Sequence, residues 1–396
     1  MQDWVYIFGL MFVATGVALV TGCWRWVFSV FRIAPRRMTV ERCKLHVSAP
    51  ETVDRVNTIL KSFAGGFNRM ITARSYKACR GYCDFLPVLY RPFAHEGMAM
   101  GYTLRHLFRY DSANFEERVV KPRPEFRYLY YVGLGFWSGM RNHSPGRLAR
   151  IVDGLDPLHG YLCYDGYGFK TAFFDYRNDA NSLRRLDRLD GYATHAAYQG
   201  VGRAFFFLYM DQPDLWAEHV EKLGAYAKDA AAGAGLAAVF VHPDRLERAR
   251  TFAMRLPAVW RPHYHLGMCF GLKARSINDL DQFERDMARL EPRMREAVHA
   301  SIRECDRIEL LVRSEQGENG YETWRNRVTN WMASRIEYPL ASVRVPRRPV
   351  LAPEFRTAAR AKIQYEPRRS AGADINQEVQ REKGYIRHSN QTGPRA

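Results

Sequence analysis

Apolar and small residues recur along most of this chain at helical spacing, in short stretches that are alike. The clearest is YQGVGRAFFF at residues 198–207, in which Gly200 and Gly202 precede Arg203 and three phenylalanines. Six further stretches repeat the pattern: FAGGFNRM (63–70), EGMAMGYTL (96–104), VGLGFWSGM (132–140), DGYGFKTAFF (165–174), AGAGLAAVF (232–240) and LGMCFGLKAR (266–275). Steps of 31, 36, 33, 34, 33 and 34 residues separate their glycines Gly66, Gly97, Gly133, Gly166, Gly200, Gly233 and Gly267. This period is typical of repeats made of helix pairs, which bury their apolar faces by stacking.

Each repeat divides into a glycine-bearing helix, a polar turn and a second helix. Residues 232–241, for example, precede the turn His242-Pro243-Asp244 and a second helix over residues 246–256. Proline and aspartate at such a turn are typical of a helix start. No stretch of the sequence alternates polar and apolar residues as a strand would. The pattern therefore predicts an all-α fold, a TPR-like α-solenoid of about seven helix pairs over residues 48–340.

The glycines inside these helices need a reason, because each costs ~1 kcal/mol relative to alanine. We interpret them as points at which the first helix of one unit packs closely on its neighbour. Aromatic side chains one turn away then fill the grooves between the helices. The alternative is a glycine-lined cleft for a long apolar ligand.

The N-terminal segment has the features of a membrane anchor. Residues 4–24 read WVYIFGLMFVATGVALVTGCW, without a charged side chain, about the length that crosses a hydrocarbon core of ~30 Å. Only Asp3 precedes this run, whereas six basic residues between Arg25 and Lys44 follow it. The positive-inside rule then predicts a single-pass inner-membrane anchor, within residues 1–47, and a body in the cytoplasm. A cleaved signal peptide with a lipobox at residues 20–23 is the main alternative.

The chain is basic, with 59 Lys and Arg against 42 Asp and Glu and a formal net charge of +17. Residues 341–396 are rich in Pro, Arg and Gln and contain 12 basic and 5 acidic residues, so we expect a basic, disordered tail there. On a protein held at a bilayer, such a tail favours anionic headgroups, which makes the membrane a predicted partner. Nucleic acid is not expected, because no recognition fold or basic-aromatic platform accompanies the charge.

The cysteine and histidine spacings predict no metal site. The seven cysteines form no dense framework, which is typical of a reducing compartment. Cys79 and Cys83 lie four residues apart without a second pair nearby. His263 and His265 lie two apart, a spacing more natural in an extended segment than on one helix face. No cofactor is predicted either, because the sequence contains no Gly-x-Ser-x-Gly elbow, Asp-rich metal motif or phosphate loop.

Several stretches stand in a familiar order and spacing: RPFAHEGMAMG (91–101), YYVGLGF (130–136), LDPLHGYLCYDGYGF (155–169), YQGVGRAFFF, GAGLAAVF and YETWR (321–325). Together they resemble the bacterial UnbL-like family, a family of unknown function often encoded beside enediyne polyketide clusters. The resemblance covers roughly residues 48–332 and implies a place in enediyne or related secondary-metabolite production. It brings no established reaction or catalytic residue. The chain departs from the family pattern at Lys170, where histidine is expected, and at Leu266, where glutamine is expected.

Polar residues inside the apolar glycine helices form the candidate site. The candidate acid–base residues are Glu96 and Asp165, and the candidate ligand- or partner-binding residues are His95, Gln199, Arg203 and Arg275. If the glycine faces line one inner surface, these side chains come from corresponding positions of successive units and converge on a ligand. The competing interpretation is that they form structural ion pairs and caps that hold the repeats in register.

Two functions fit these features. The first is a membrane-tethered helical-repeat adaptor or accessory factor that holds biosynthetic enzymes near the bilayer in enediyne-like or other secondary-metabolite biosynthesis. The second is an enzyme or binding protein for an apolar polyketide-like metabolite, with an acid–base pocket inside the repeat. The two differ in whether Glu96, Asp165 and Arg203 surround one enclosed pocket or lie on separate faces.

Overall fold

Helices dominate the part of the chain that the structure describes. The computed structural model describes residues 28–106, 110–315, 317 and 319–335. None of these residues lies in a β-strand, so the predicted all-α class is confirmed for them. The predicted anchor at residues 4–24 and the predicted tail at residues 341–396 lie outside the described residues. No helix within the described ranges is both long and apolar enough to span a membrane.

Long glycine-bearing helices alternate with shorter segments along the chain. The α-helices are, in chain order, α1 Pro50–Thr72, α2 Tyr76–Phe85, α3 Arg91–Arg105, α4 Ser112–Phe115, α5 Arg127–Met140, α6 Pro145–Val152, α7 Leu162–Lys170, α8 Tyr192–Tyr209, α9 Pro213–Glu221, α10 Ala227–Val241, α11 Leu246–Arg255, α12 Arg261–Asn278, α13 Leu280–Met287, α14 Pro292–Glu315 and α15 Gly320–Arg335. The glycine stretches lie in α1, α3, α5, α7, α8, α10 and α12. Short 3₁₀ and π segments join the helices, among them Glu116–Val120, Thr171–Tyr176 and Ala180–Arg188.

Prolines and capping side chains mark where several helices begin. Pro50, Pro145 and Pro213 are each the first residue of a helix, a position at which the missing amide proton is not needed. The Ser75 hydroxyl accepts a hydrogen bond from the Ala78 amide at 3.1 Å and so caps α2. These starts follow from local chemistry that is visible in the sequence.

The glycine helices begin earlier than their glycine stretches. α12 begins at Arg261, five residues before the stretch at 266–275. His263 and His265 therefore lie in the first two turns of α12, and their expected place in an extended segment was wrong. The physical reason is Pro262, which is tolerated in the first turn of a helix and starts α12 rather than interrupting it.

Successive glycine helices touch through their backbones at the glycines. A Cβ on Gly200 of α8 would lie 1.8 Å from the carbonyl oxygen of Asp165 in α7. Gly202 faces the next helix instead, where its Cβ would lie 1.9 Å from the carbonyl oxygen of Ala230 in α10. The first glycine of a pair thus contacts the preceding helix and the second the following one, which confirms the glycines as packing points. The same arrangement recurs at Gly133 and Gly135, Gly166 and Gly168, and Gly233 and Gly235.

These contacts also define the register of the repeat. Each first glycine lies against the carbonyl of the residue just before the equivalent glycine of the preceding helix, as in Gly166 against Val132, Gly200 against Asp165 and Gly233 against Gln199. Gly97 lies against the carbonyl of Phe63, so its equivalent in α1 is Ala64, while Gly66 faces the following helix. The first step of the repeat is therefore 33 residues, from 64 to 97, and not the 31 counted between glycines.

The row of glycine helices curls until its beginning meets its sixth member, α10. Arg55 of α1 donates a hydrogen bond to the Val241 carbonyl at 3.0 Å and pairs with Asp244, just after α10, at 2.6 Å. The ring centroids of Phe93 in α3 and Phe240 in α10 are 5.8 Å apart. The start of the array therefore packs against the C-terminal end of α10.

Helix α15, the last one in the described part of the chain, packs against the inner side of the array. The Trp324 ring stacks on Phe270 of α12 with centroids 4.4 Å apart, and its indole N–H donates to the Cys305 carbonyl of α14 at 3.2 Å. Tyr321 stacks on Tyr161 at a centroid distance of 5.1 Å. Because α15 occupies interior space, any charged residue on its packed face enters the core of the array.

Candidate functional site

Three of the predicted site residues occupy the same position of the repeat. Glu96, Asp165 and Gln199 each directly precede the first glycine of their helix. Other units have apolar residues at this position, namely Phe63, Val132, Ala232 and Leu266. The three polar side chains are buried, with relative exposures of 5%, 1% and 1%. Because equivalent positions of a curved array face the same interior, the three are drawn toward one another.

Arg203 links two of these side chains. Its Nη2 is 2.8 Å from Asp165 Oδ1 and its Nη1 is 3.7 Å from Glu96 Oε1, while its guanidinium lies 4.4 Å from the centre of the Phe169 ring. Among the described residues, Arg203 Nε, Arg203 Nη2 and Asp165 Oδ1 have no well-aligned hydrogen-bond partner. Arg203 Nη2 and Asp165 Oδ1 contact each other, so Arg203 Nε is the donor that is available to a further polar group.

Gln199 joins this cluster to a second buried arginine, Arg325 of α15. The Gln199 amide nitrogen donates to Asp165 Oδ2 at 2.8 Å, and its amide oxygen accepts from Arg325 Nη1. Arg325 Nη2 donates to Asp229 Oδ1 of α10 at 3.0 Å, and Asp229 Oδ2 pairs with His195 Nδ1 at 2.7 Å. The hydrogen bond to Asp229 raises the pKa of His195. Since the His195 side chain is 39% exposed, the network runs from the core to the surface.

Burial changes the ionisation of Glu96. Loss of solvent raises the pKa of its carboxyl group to about 7, with Arg203 acting in the opposite direction and Asp165 in the same direction. A carboxyl group with a pKa near 7 exists in both protonation states at neutral pH. This is the property that a general acid or base requires.

A small cavity lies beside Arg203 and Asp165. Its volume is about 50 Å³, and apolar residues form most of its wall, among them Val132, Leu162 and Phe270. A water molecule needs at least ~10–15 Å³ of such space, so the cavity has room for a few waters or a small polar group. A whole polyketide chain does not fit within it.

A second ionic cluster borders the same cavity through Lys273 and His159. Lys273 Nζ is 2.5 Å from both Asp306 Oδ1 and Glu309 Oε2, and Glu309 Oε1 is 3.1 Å from His159 Nε2. Burial alone would raise the pKa of Glu309, but the hydrogen bond with His159 and the charges of His159 and Lys273 lower it. The cavity therefore has charged groups at two places in an otherwise apolar wall.

His95 lies away from this cluster, although it is next to Glu96 in the sequence. Its Nε2 bonds Asp84 Oδ1 at 3.0 Å, its Nδ1 bonds the Tyr130 hydroxyl at 2.8 Å, and its ring stacks on Phe126. Adjacent helix positions point in directions ~100° apart, which explains the separation. His95 serves to join α3 to its neighbours.

Arg275 also lies elsewhere, at the end of α12. It donates to Asp286 Oδ2 at 2.5 Å and to the Pro243 carbonyl at 3.2 Å. These bonds connect α12 to α13 and to the turn after α10. The structure therefore brings together four of the six predicted site residues, Glu96, Asp165, Gln199 and Arg203, and places His95 and Arg275 in separate contacts.

Sequence reasoning missed three buried charged residues: Lys273, which lines the cavity, and Asp229 and Arg325, which continue the hydrogen-bond network from Gln199. For Arg325 a signal was present in the sequence. Tyr321, Trp324 and Val328 form an apolar helix face, and Arg325 lies on that face, four residues after Tyr321. A charge on an apolar face predicts a buried partner, but the sequence does not say which one.

The arrangement is suited to binding a polar group and exchanging a proton with it. The Nε–H group of Arg203, which has no hydrogen-bond partner among the described residues, is suited to a carbonyl or carboxylate oxygen, and Glu96 is suited to giving or accepting a proton. Within the described ranges, no group of three or more His, Cys, Asp or Glu side chains is placed to hold a metal ion. The buried ion pairs also connect α3, α7, α8, α10 and α15, so the cluster has a structural effect whatever it binds.

The raised pKa of Glu96 makes stability depend on pH in a defined direction. Its carboxyl group has a pKa of about 7 in the folded protein and 4.5 without the fold, so the folded state binds the proton more tightly. As pH rises from 4.5 to 7 the unfolded state ionises first, and the free energy of unfolding falls by up to about 3 kcal/mol. Glu96→Gln mimics the protonated group, so it should match the parent near pH 5 and be more stable by this amount near pH 8.

Urea unfolding of both proteins at several pH values measures this difference. Glu296→Gln, at an exposed position of α14, removes the same charge without burial and is the matched control. Its unfolding free energy should follow that of the parent at every pH. If the unfolding free energies of Glu96→Gln and the parent differ by the same amount at every pH, the pKa of Glu96 is not raised in the folded protein.

The residues that match a known family include the whole Arg203 cluster described above. No curated protein and no solved structure matches the chain. A family model matches residues 25–332, which include every glycine helix and Arg325. The chain therefore belongs to the family described as Protein of unknown function (DUF1702).

Proposed function

We propose that this protein is a membrane-tethered accessory protein that binds the polar end of a mainly apolar metabolite in its interior. The observation that carries the proposal is the gathering of Glu96, Asp165 and Gln199 around Arg203, beside a cavity of about 50 Å³ with apolar walls. A few convergent polar groups in an apolar surround are typical of small-molecule sites. The size of the cavity limits the inserted part to a small end group.

The chemistry of the cluster favours an oxygen-bearing end group. The buried Nε–H of Arg203, which has no hydrogen-bond partner among the described residues, suits a carbonyl or carboxylate oxygen. An enzyme that transfers a proton to or from the bound group, with Glu96 as the acid or base, fits the same site. The accessory-protein version and the enzyme version of the proposal both require that this site binds the end group.

Architecture and location complete the proposal. We take the seven glycine helices and the segments that follow them as TPR-like repeats that close on themselves. The charge asymmetry around residues 4–24 favours an inner-membrane anchor with the body in the cytoplasm, and the basic tail favours anionic headgroups. The pathway, enediyne-like or another secondary-metabolite pathway, rests on the resemblance of the motifs to the UnbL-like family.

A metabolite profile of the producing strain tests the binding proposal. Replacing the chromosomal copy with Glu96→Gln should lower the titre of the pathway product about tenfold or more, because the buried acid no longer ionises. Glu296→Gln should leave the titre unchanged. Immunoblots of membrane fractions establish that both variants reach the parental level, so that a change in titre is not a change in abundance.

An unchanged titre with Glu96→Gln at parental protein level would refute the binding and proton-transfer versions together. If the Glu96→Gln protein is absent from the immunoblot, the cluster is required for folding. A second variant, Asp165→Asn, removes the other carboxylate while it preserves shape. Both variants should act in the same direction if the cluster is the site.

The adaptor function is the second candidate, and one observation favours it. Leu310 and Leu311 of α14 are adjacent and 70% and 41% exposed, an apolar surface that a partner protein would cover. An adaptor that holds biosynthetic enzymes would lose function with Leu310→Ser and Leu311→Ser combined and keep it with Glu96→Gln. The same metabolite profile therefore separates the two functions.

A further inference from the structure

A second, larger cavity lies at the other end of α5 from the Arg203 cluster. Its volume is about 720 Å³, and its wall comes from the C-terminal part of α3, the start of α4, α5 and α6. It shares no lining residue with the cavity at Arg203. Cavities of about 300–1,000 Å³ are the usual size for small-molecule ligands.

One buried polar atom at this cavity, His143 Nδ1, has no hydrogen-bond partner among the described residues. The Tyr110 hydroxyl also lines the cavity, and the Ser112 hydroxyl beside it, which donates to the Ile151 carbonyl at 3.0 Å, accepts from Tyr110. Leaving a buried polar atom without a partner is unfavourable, so a ligand group that bonds to His143 Nδ1 would be favoured. Burial and the charges of Arg147 and Arg141 lower the pKa of His143 to about 4, so its ring is neutral at pH 7.

The rim of the cavity is positive. Arg147 and Arg150 line it and lie three residues apart on α6, both exposed. The acidic residue of the wall is Asp111, whose Oδ1 accepts from the Ala113 amide at 2.9 Å and whose Oδ2 accepts from Asn114 Nδ2 at 2.6 Å. Its carboxylate is engaged by its own chain, so the two guanidinium groups are available to an anion.

The remaining wall is apolar and includes an aromatic ring. Trp137 and Leu134 of α5 and Ile151 of α6 line it, and the Trp137 side chain is partly exposed. An indole face binds flat or aliphatic groups, and it does so without requiring charge. An inorganic anion would use the arginines and leave this wall in water.

We propose that this cavity binds a small organic anion, with a carboxylate or phosphate group at Arg147 and Arg150 and an aromatic or short aliphatic body against Trp137. The His143 ring nitrogen then bonds to a polar atom of the body. The site is separate from the proposed metabolite site and adds a second ligand to this protein.

Calorimetric titration of the purified full-length protein with phenyl phosphate tests this site. We expect saturable binding of one phenyl phosphate per chain, with inorganic phosphate and benzyl alcohol each binding about tenfold more weakly. Arg147→Gln combined with Arg150→Gln should weaken phenyl phosphate about tenfold or more. Arg293→Gln combined with Arg295→Gln removes the same charge from exposed positions of α14 and should leave binding unchanged.

Three results would overturn the proposal. Equal weakening by the α6 and α14 double variants would show a general charge effect, and inorganic phosphate binding as tightly as phenyl phosphate would show that the apolar wall has no part. No binding of phenyl phosphate by the parent would remove the site. Glu96→Gln should leave phenyl phosphate binding intact, so a failure of the metabolite proposal is distinguishable from a failure here.

Discussion

Replacing Gly200 by alanine is expected to lower the free energy of unfolding by about 3 kcal/mol. The added Cβ would lie 1.8 Å from the carbonyl oxygen of Asp165 and 2.7 Å from the backbone nitrogen of Phe169. Both distances are far inside the roughly 3.5 Å at which non-bonded atoms meet. Because the obstacles are backbone atoms, no side chain can move aside, and α7 and α8 have to separate. Urea unfolding of the purified protein measures the loss.

Gly81→Ala is the matched control for this prediction. Gly81 lies inside α2, and a Cβ there would meet nothing within 4 Å. The substitution should therefore show the gain in helix propensity alone, about 1 kcal/mol of stabilisation. If Gly200→Ala also stabilised the protein, the close contact between α7 and α8 would be refuted.

Replacing Arg325 by leucine is expected to cost about 3–5 kcal/mol, because it leaves a buried partner charge uncompensated. Arg325 is 1% exposed and donates to Gln199 Oε1 and to Asp229 Oδ1. Its guanidinium also lies 5.7 Å from the ring centre of Tyr192. Leucine fills part of the volume but leaves Asp229 with His195 as its charged partner. Urea unfolding at pH 8 measures the effect where His195 is least protonated.

Arg327→Leu is the matched control, two residues along the same helix. Arg327 pairs with Glu315 at 2.7 Å, and the two side chains are 41% and 46% exposed. An exposed pair of this kind contributes about 0–1 kcal/mol, so the variant should stay close to the parent. Equal losses for Arg325→Leu and Arg327→Leu would contradict the buried network and assign the effect to helix α15 as a whole.

The two predictions concern features that the sequence revealed to different degrees. The glycine contacts could be predicted, because a helix that repeatedly accepts glycine must gain packing in return. The register could not, since counting glycines places Gly66 in line with Gly97, whereas the contact with Phe63 makes Ala64 the equivalent. A count along the chain does not show which of two nearby small residues faces the neighbour.

The candidate site was likewise predictable in part. Glu96, Asp165, Gln199 and Arg203 stand out as polar residues in apolar helices, and they do come together. His95 stands out equally and does not join them, because it points to a different side of α3, toward Asp84 and Tyr130. A polar residue in an apolar helix indicates that its side chain has a buried partner, but it does not indicate on which side of the helix that partner lies.

By itself, the sequence determined the helical class, the repeat of glycine helices and the four polar residues of the Arg203 cluster that lie within them. These follow from local patterns, in which propensity, spacing and turn chemistry act within a few residues. The tertiary structure alone decided that the array closes through Arg55 and Asp244, that α15 fills its interior, and that Arg325 completes the network. Closure depends on the small rotation between successive units, summed over the array, and no single stretch of sequence records that sum.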